Sequence, residues 1–437
     1  MRISVVGTGH VGLTTCVSMA AMGHDVIGND NDQEKLIRLN QGLPPFYEPG
    51  LADLLGKAMQ SGRLRFNDTM ADTLSEAEVV FICVGTPARV SGEASLMAVE
   101  RVAAQVARHC RKGTVVVEKS TVPAGTAERV RRTLAREKSG DQTHAEVVSN
   151  PEFLREGRAL EDALRPDRIL VGAESERAFR TMRKLYEPWT SRGCRLLETD
   201  IATAELAKHA CNAFLALKIS YANALAFICE RVGADVVAVA DVMGLDARIG
   251  RDFLDAGLGY GGYCFPKDLV AFERLATRVG YEFPLLAEVA RINERAIEAT
   301  LEKIEDAIWN FEGKRIALLG LSFKPNTDDI RFSPALKLAK RLIAEDAHVV
   351  GYDPEAGHAS KVEVPELEVA TDAYEAAAGA HCVVLCTEWE EFLTLDLSKL
   401  RSYMAYPIVV DARNMFDAEQ MRIAGFSYYP FGRPGTV

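Results

Sequence analysis

The opening of the chain constrains its fold more than any other stretch. Arg2–Val6 is a short apolar strand that runs into Gly7-Thr8-Gly9-His10-Val11-Gly12. An apolar helical repeat follows (Leu13, Val17, Met19, Ala20), then a second strand, Asp25–Gly28, ending at Asn29-Asp30. Strand, G-x-G-x-x-G, helix, strand and acid is the order of a dinucleotide-binding unit. Gly7 permits the tight turn, Gly9 the close approach of a pyrophosphate, and Gly12 the packing of helix on sheet. Asp30 would take a ribose 2′-hydroxyl and repel a 2′-phosphate, which favours NAD over NADP, although Lys35 and Arg38 lie nearby. His10 within the loop is expected to play no catalytic part.

Three more strand-then-loop units follow: Val79–Val84 into Gly85-Thr86-Pro87, Val115–Val117 into Glu118–Pro123, and Glu146–Val148 into Asn150–Gly157. In a doubly wound sheet the carboxyl ends of the strands line the ligand crevice, so Thr86, Thr121, Glu152 and Glu156 are expected there. Glu152 and Glu156 are four apart and would share a face if their segment were helical. The run Pro44–Gly50 is by itself only a rigid loop.

Ile201 to about Arg231 is expected to form one long helix, opened by Asp200 or Thr203 and apolar nearly all round. Lys208 and Asn212 stand out within it, because unpaired polar groups are costly to bury. A shorter helix over Ala234–Met243 and a long one over about Phe283–Phe311 complete a helical middle. Strand signals restart at Arg315–Leu319, Val349–Tyr352 (ending in Asp353-Pro354), Cys382–Cys386 and Ile408–Val410. They predict a second α/β unit that lacks the complete glycine fingerprint.

The chemistry centres on Gly257–Leu269. Gly257, Gly259, Gly261 and Gly262 precede Cys264 and suit a loop that a ligand approaches closely. Pro266 and the apolar repeat after it predict a helix beginning just beyond Cys264. Exposed amides at a helix start favour a thiolate, the nucleophilic form of cysteine. Asp268 lies four residues on.

Composition narrows the class. The 437 residues suffice for two or three domains, and a net charge of −11 argues against general affinity for nucleic acid or anionic membrane. Nine cysteines without a Cys-x-x-Cys pair fit a reducing, cytoplasmic setting and no structural metal. No signal peptide is recognisable at Met1, and no unbroken apolar run reaches about 18 residues.

Together these segments resemble the nucleotide-sugar 6-dehydrogenases over nearly the whole length. The likeness runs through Gly7–Gly12, Pro45–Leu51, Gly85–Pro87, Ser120–Pro123, Asn150–Gly157, Lys208–Phe214, Arg248–Gly250, Gly259–Asp268, Phe323–Pro334 and Asp411–Asn414. Pro45–Leu51 and Tyr263 resemble the members that act on UDP-glucose, although many relatives carry Ser where Tyr263 stands. The resemblance implies two Rossmann-like parallel-sheet domains joined by a long central helix and an all-α middle: residues 1–200 for NAD, 201–312 for dimerisation and 313–437 for the UDP-sugar. It implies a four-electron oxidation of UDP-glucose at C6 to UDP-glucuronate, with Cys264 carrying a thiohemiacetal and then a thioester. Lys208 and Asn212 would stabilise the oxyanion, Asp268 would orient Lys208 or the hydrolytic water, and Thr121 and Glu152 would accept protons through a water. NAD contacts are expected from Gly7, Gly9, Val11, Gly12, Asp30, Lys35, Thr86, Thr121, Glu156, Lys267 and Arg331. UDP-sugar contacts are expected from Glu152, Phe153, Leu154, Lys208, Asn212, Phe253, Gly261, Phe323, Lys324 and Arg413, with Arg248 reaching the substrate of a homodimer partner. Three rival readings stand beside this one. One is a 6-dehydrogenase of GDP-mannose or a UDP-N-acetylhexosamine. Another is a two-electron hydroxyacid-type dehydrogenase, which needs no cysteine. The third is an NAD-sensing binder, which has no use for a nucleophile.

Overall fold

The computed structural model describes residues 1–87, 89, 93–137 and 145–436. They divide into two compact units: Met1–Cys211 with Val270–Gly280, and Asn212–Leu269 with Tyr281–Val437.

The first unit is built on eight strands: β1 (Arg2–Val6), β2 (Asp25–Asn29), β3 (Leu64–Asn67), β4 (Val79–Ile82), β5 (Val115–Glu118), β6 (Glu146–Ser149), β7 (Arg168–Gly172) and β8 (Arg195–Thr199). Their spatial order is β3-β2-β1-β4-β5-β6-β7-β8. The first six are parallel and doubly wound; β7 then joins β6 antiparallel through Ser149 and Gly172, and β8 runs parallel to β7. The central strands are buried on both faces, which is why they are runs of valine and isoleucine with no polar alternation. Val79 and Phe81 of β4 face the helices His10–Ala21, Leu51–Gln60 and Glu176–Thr190, while Val80 and Ile82 face Met97–His109 and Thr126–Glu137. Chain order reverses between β1 and β4, so the crevice of this unit opens at their carboxyl ends.

The second unit repeats that winding. Strands β9 (Arg315–Leu319), β10 (His348–Tyr352), β11 (Glu368–Val369), β12 (Cys382–Leu385), β13 (Ile408–Asp411) and β14 (Ser427–Pro430) form an all-parallel sheet in the order β11-β10-β9-β12-β13-β14. Pro284–Ile308 and Pro334–Ala344 cover one face, and Ala373–Ala377, Leu397–Tyr403 and Ala418–Ile423 the other.

The predicted long helix is continuous over Ile201–Val232. Asp200 opens it by accepting from the Thr203 amide at 2.8 Å, and Gly233 (φ +73°) stands just past its end, where a left-handed residue stops a helix. It is long and apolar enough by length and composition to cross a membrane. Its polar side chains have protein partners instead. Glu205 accepts from the Gly125 and Ala127 amides at 2.6 and 2.8 Å, His209 meets the Val122 carbonyl, Ser220 donates to the Val289 carbonyl, and Asn223 accepts from the Gly257 amide. Ala222 and Ala226 pack on Ala296 and Ala299 of Pro284–Ile308, where small side chains allow close approach. The 201–232 helix keeps an exposed stripe, Phe214, Tyr221 and Ile228, at a spacing of seven.

Candidate functional site

In the first unit the glycine loop takes the form its spacing predicts. Gly7 adopts φ +92°, and a Cβ there would lie 2.7 Å from the Cys83 carbonyl oxygen. A Cβ on Gly12 would collide with the Gly7 oxygen at 1.8 Å, whereas one on Gly9 would meet nothing within 4 Å. The loop is therefore closed by protein at its first and third glycines and open at the second, where Gly9 caps His10–Ala21 and Val11 enters its first turn. That open, amide-rich start suits a pyrophosphate. Asp30 follows β2 and is held in place. Its Oδ2 accepts from the Thr8 amide and hydroxyl and from Lys35 Nζ at 2.8, 2.7 and 3.0 Å, while Oδ1 takes one 3.2 Å bond from the Asp32 amide. Burial opposes ionisation of Asp30, but the Thr8 and Lys35 donors outweigh it and hold the carboxyl below its ordinary value. Oδ1 keeps capacity for a ribose hydroxyl. These residues fit NAD. His10 stacks on Phe46, centroids 3.8 Å apart.

The loops after β4, β5 and β6 carry the other predicted groups. Thr86 donates to the Thr121 carbonyl at 3.0 Å, tying two of these loops together. The segment after Asn150 is not helical: a helix starts only at Ala159, so Glu152 and Glu156 do not share a helical face. Pro151 disfavours helix in the residue before it, and Glu152 accepts the Leu154 amide at 2.5 Å, a local turn that competes with helix. The other oxygen of Glu152 meets Lys208 Nζ at 3.0 Å, with both side chains 5% accessible. Phe153 lies between Arg168 (4.0 Å) and Lys208 (5.3 Å), its ring facing both cations. Glu156 is half-buried. Pro44–Gly50 proves structural: Glu48, buried, accepts from the Gly157 and Leu160 amides at 2.8 and 3.3 Å and so braces the Glu152–Glu156 loop.

In the second unit Cys264 is the first residue of the helix Cys264–Arg278, inside its first turn, with Pro266 two residues on. It is half-buried. Asp268, one turn later and fully buried, accepts from Asn212 Nδ2 at 2.6 Å and Lys267 Nζ at 2.7 Å. Lys208 and Asn212 thus have separate carboxylate partners, Glu152 and Asp268. The glycines before Cys264 serve protein packing more than ligand approach. A Cβ on Gly257 would meet the Ala412 oxygen at 2.3 Å, on Gly259 the Asn293 Oδ1 at 2.6 Å, on Gly261 the Phe332 oxygen at 2.5 Å, and on Gly262 the Phe323 ring at 2.8 Å. Close packing there sets Phe323 against the cysteine loop, and the Gly262 amide donates to the Arg331 carbonyl at 2.9 Å. Arg331 grips Asp329 at 2.8 and 3.0 Å through Nε and lies 4.7 Å over the Tyr263 ring, while Lys267 approaches that ring at 5.7 Å. Lys324 Nζ is 5.4 Å from the Phe323 ring centroid. Arg413 donates from Nε to the Cys386 carbonyl at 2.7 Å and stands beside Gly257. Phe253 takes φ +66° beside Phe265. Arg248 is 89% exposed and held by Asp246.

The acid after β10 behaves unlike Asp30. Asp353 Oδ2 accepts from the Leu321 and Ser322 amides, the Ser322 hydroxyl and Trp389 Nε1, and Oδ1 from the Glu355 and Ala356 amides, all within 3.1 Å. Protein donors occupy the carboxylate that would otherwise read a ribose, so the second sheet repeats the winding without the dinucleotide site. Sequence reading also passed over Lys119, Asp329 and Glu48. The signal for Lys119 was a charged pair, Glu118-Lys119, ending an apolar strand. Among the described residues no group of three His, Cys, Asp or Glu could hold a metal ion.

Known proteins align with this arrangement from end to end. Three family models match in succession, each described as part of the UDP-glucose/GDP-mannose dehydrogenase family: the NAD-binding domain over residues 1–190, the central domain over 202–295 and the UDP-binding domain over 317–418. A UDP-glucose 6-dehydrogenase of Bacillus subtilis is 42% identical, covering 100% of this chain and 99% of its own. One of Rhizobium meliloti is 43% identical, covering 99% of this chain and 100% of its own. The solved structure of a UDP-glucose dehydrogenase from Pyrobaculum islandicum superposes with a TM-score of 0.91 at 38% identity, over 99% of this chain and 98% of that one. In sequence, in fold and in the glycine loop that fits NAD, the chain belongs to the UDP-glucose/GDP-mannose dehydrogenase family.

Proposed function

We propose that this protein oxidises UDP-glucose at C6 to UDP-glucuronate with two NAD, through a covalent intermediate on Cys264. The observation that carries the reading is the position of Cys264 at the first turn of its helix, with Asp268 one turn on and bonded to Asn212 and Lys267. A helix start favours an anionic sulfur, and a binder or a two-electron dehydrogenase has no need of one.

Bound NAD would supply hydride acceptance; the remaining chemistry belongs to side chains. Glu152, through a water beside Thr121, takes the proton of the C6 alcohol as the first hydride leaves. Cys264 adds to the aldehyde, and the thiohemiacetal loses a second hydride and a proton to become a thioester. Water then attacks the thioester carbon, the C–S bond breaks, and the sulfur returns to the enzyme. Lys208 and Asn212, one turn apart on the same helix, donate to the C6 oxygen as its charge develops. Asp268 aligns the Asn212 amide. In this reading Phe153, Leu154, Gly261, Phe253, Phe323, Lys324 and Arg413 hold the UDP-sugar, with the cations suited to its diphosphate. Thr86, Glu156, Lys267 and Arg331 serve the cofactor.

The same reading includes a homodimer in the cytoplasm, with no nucleic-acid or membrane partner. Phe214, Tyr221 and Ile228 are 60%, 50% and 55% exposed, and a spacing of seven makes one helical seam. In this reading Arg248, which is exposed, reaches a partner's substrate. The test of the activity is stoichiometry: two NADH per UDP-glucose consumed, and none with GDP-mannose. One NADH per sugar, or turnover surviving Cys264→Ser, would refute it.

A further inference from the structure

The proposed reaction, on which this inference rests, must shed protons. RCH2OH, two NAD+ and one water give RCOO−, two NADH and three H+. Two of those protons leave with the hydride transfers and the third on hydrolysis. All of them start beside buried groups, since Glu152 and Lys208 are each about 5% accessible. A route outward is therefore needed.

The first unit contains a candidate. Behind the Glu152 loop lies a recess of about 80 Å³, lined by Thr15, Ser18, Lys119, Asn150, Glu152 and Tyr186 among others. That is room for several waters, and the wall offers the polar partners they require. Lys119 follows β5 directly. Its Nζ lies 3.3 Å from Asn150 Oδ1 and 3.5 Å from the Asn150 carbonyl, long contacts for an ammonium, and it makes no carboxylate ion pair among the described residues. Asn150 is clamped from its other sides: Tyr186 donates to Oδ1 at 2.5 Å, and Nδ2 donates to the Leu170 carbonyl at 2.7 Å. The groups that bear on Lys119 are Cys83 at the end of β4, Glu152 on the loop after β6, and Lys208 on the 201–232 helix. The Phe81 ring lies 5.8 Å away. Burial lowers the affinity of Lys119 for its proton; Cys83 and Glu152 oppose that and Lys208 adds to it. An amine so placed can release a proton, which an arginine there could not do.

We propose that this recess is the proton exit of the reaction and that Lys119 is its relay, acting through Glu152. During hydrolysis the attacking water gives its proton to the Glu152 carboxylate. Lys119 gives a proton to bulk solvent and takes up, through recess water, the proton held on Glu152, which restores both groups. No oxidant or further reactant is required.

The test uses the full-length enzyme with Lys119→Met and Lys119→Arg. Rapid-quench kinetics with NAD and UDP-glucose would follow NADH, and intact-mass spectrometry would follow the adduct on Cys264. Both variants are expected to lose about 100-fold in kcat, within the range for a proton-transfer group, with little change in KM. The Cys264 thioester should accumulate, and kcat should depend less on pH than in the parent assayed alongside. Arginine keeps the charge and the bond to Asn150, so it separates relay from support. If Lys119→Arg restores turnover, Lys119 is only a fixed charge and the relay is wrong. Full turnover in either variant, or loss of activity without thioester and with an unaltered pH profile, also overturns it. Should Lys119→Met fail to fold, Lys119→Arg alone decides. Failure of the parent to make two NADH per sugar would instead overturn the proposed function, so the two failures are distinguishable.

Discussion

Replacing Lys208 with methionine separates what the buried ion pair does for folding from what it does for turnover. Lys208 Nζ and Glu152 Oε1 are 3.0 Å apart with both side chains 5% accessible. Methionine retains most of the stem's volume and removes the charge, which leaves the Glu152 carboxylate buried without its ammonium. Breaking such a pair from one side costs about 3–5 kcal/mol, because the desolvated partner keeps its penalty and loses its compensation. For a unit of this size about 2–4 °C of melting temperature corresponds to each kcal/mol, so calorimetry should show a drop of roughly 6–20 °C. Lys208→Met/Glu152→Gln removes both charges and should melt within a few degrees of the parent. Turnover must behave differently. In the proposed mechanism Lys208 is one oxyanion donor and Glu152 the proton acceptor, so the single variant should lose about 10²–10³ in kcat and the double variant should be no better. If the single variant melts with the parent, the pair is not buried as described. If the double variant regains turnover, Lys208 has no role in the chemistry.

Three further outcomes are expected. Gly262→Ala places a Cβ 2.8 Å from the Phe323 ring at φ +76°, a strain of about 1–2 kcal/mol or more, and should raise KM for UDP-glucose roughly tenfold while leaving that for NAD unchanged in initial-rate assays. If the proposed dimer forms on this seam, Phe214→Glu with Tyr221→Glu should give a monomer in sedimentation velocity where the parent sediments as a dimer, with the fold intact by circular dichroism. Glu118 is 1% exposed, and burial pushes its carboxyl well above the ordinary range, so the folded state binds its proton more tightly than the unfolded state. Stability from this group is complete below the unfolded pKa and is lost as pH rises toward the folded one. Glu118→Gln keeps the oxygen that accepts the Ser120 amide, so its stability should decline less with rising pH than the parent's in thermal melts at a series of pH values.

What the linear order of residues determined is everything local. Gly7, Gly9 and Gly12 dictate a turn that only a β–loop–helix unit can use, and Asp30 closes it at the end of β2, because backbone conformation and strand spacing act over a few residues. The runs of valine and isoleucine specify strands buried on both faces, and Pro266 with its apolar repeat specifies the helix that begins at Cys264. Partnership of buried charges was not legible. Lys208 and Asn212 stand four apart on one helix, yet Lys208 took Glu152 and Asn212 took Asp268, each 56 positions away along the chain. A desolvated charge is matched by whatever group the fold brings within about 3 Å, and nothing in sequence spacing encodes that distance. The glycines ahead of Cys264 show the same limit. Their lack of side chains could have admitted a ligand, but the tertiary structure filled those spaces with Ala412, Asn293 and Phe323, since close packing leaves few empty volumes inside a folded unit.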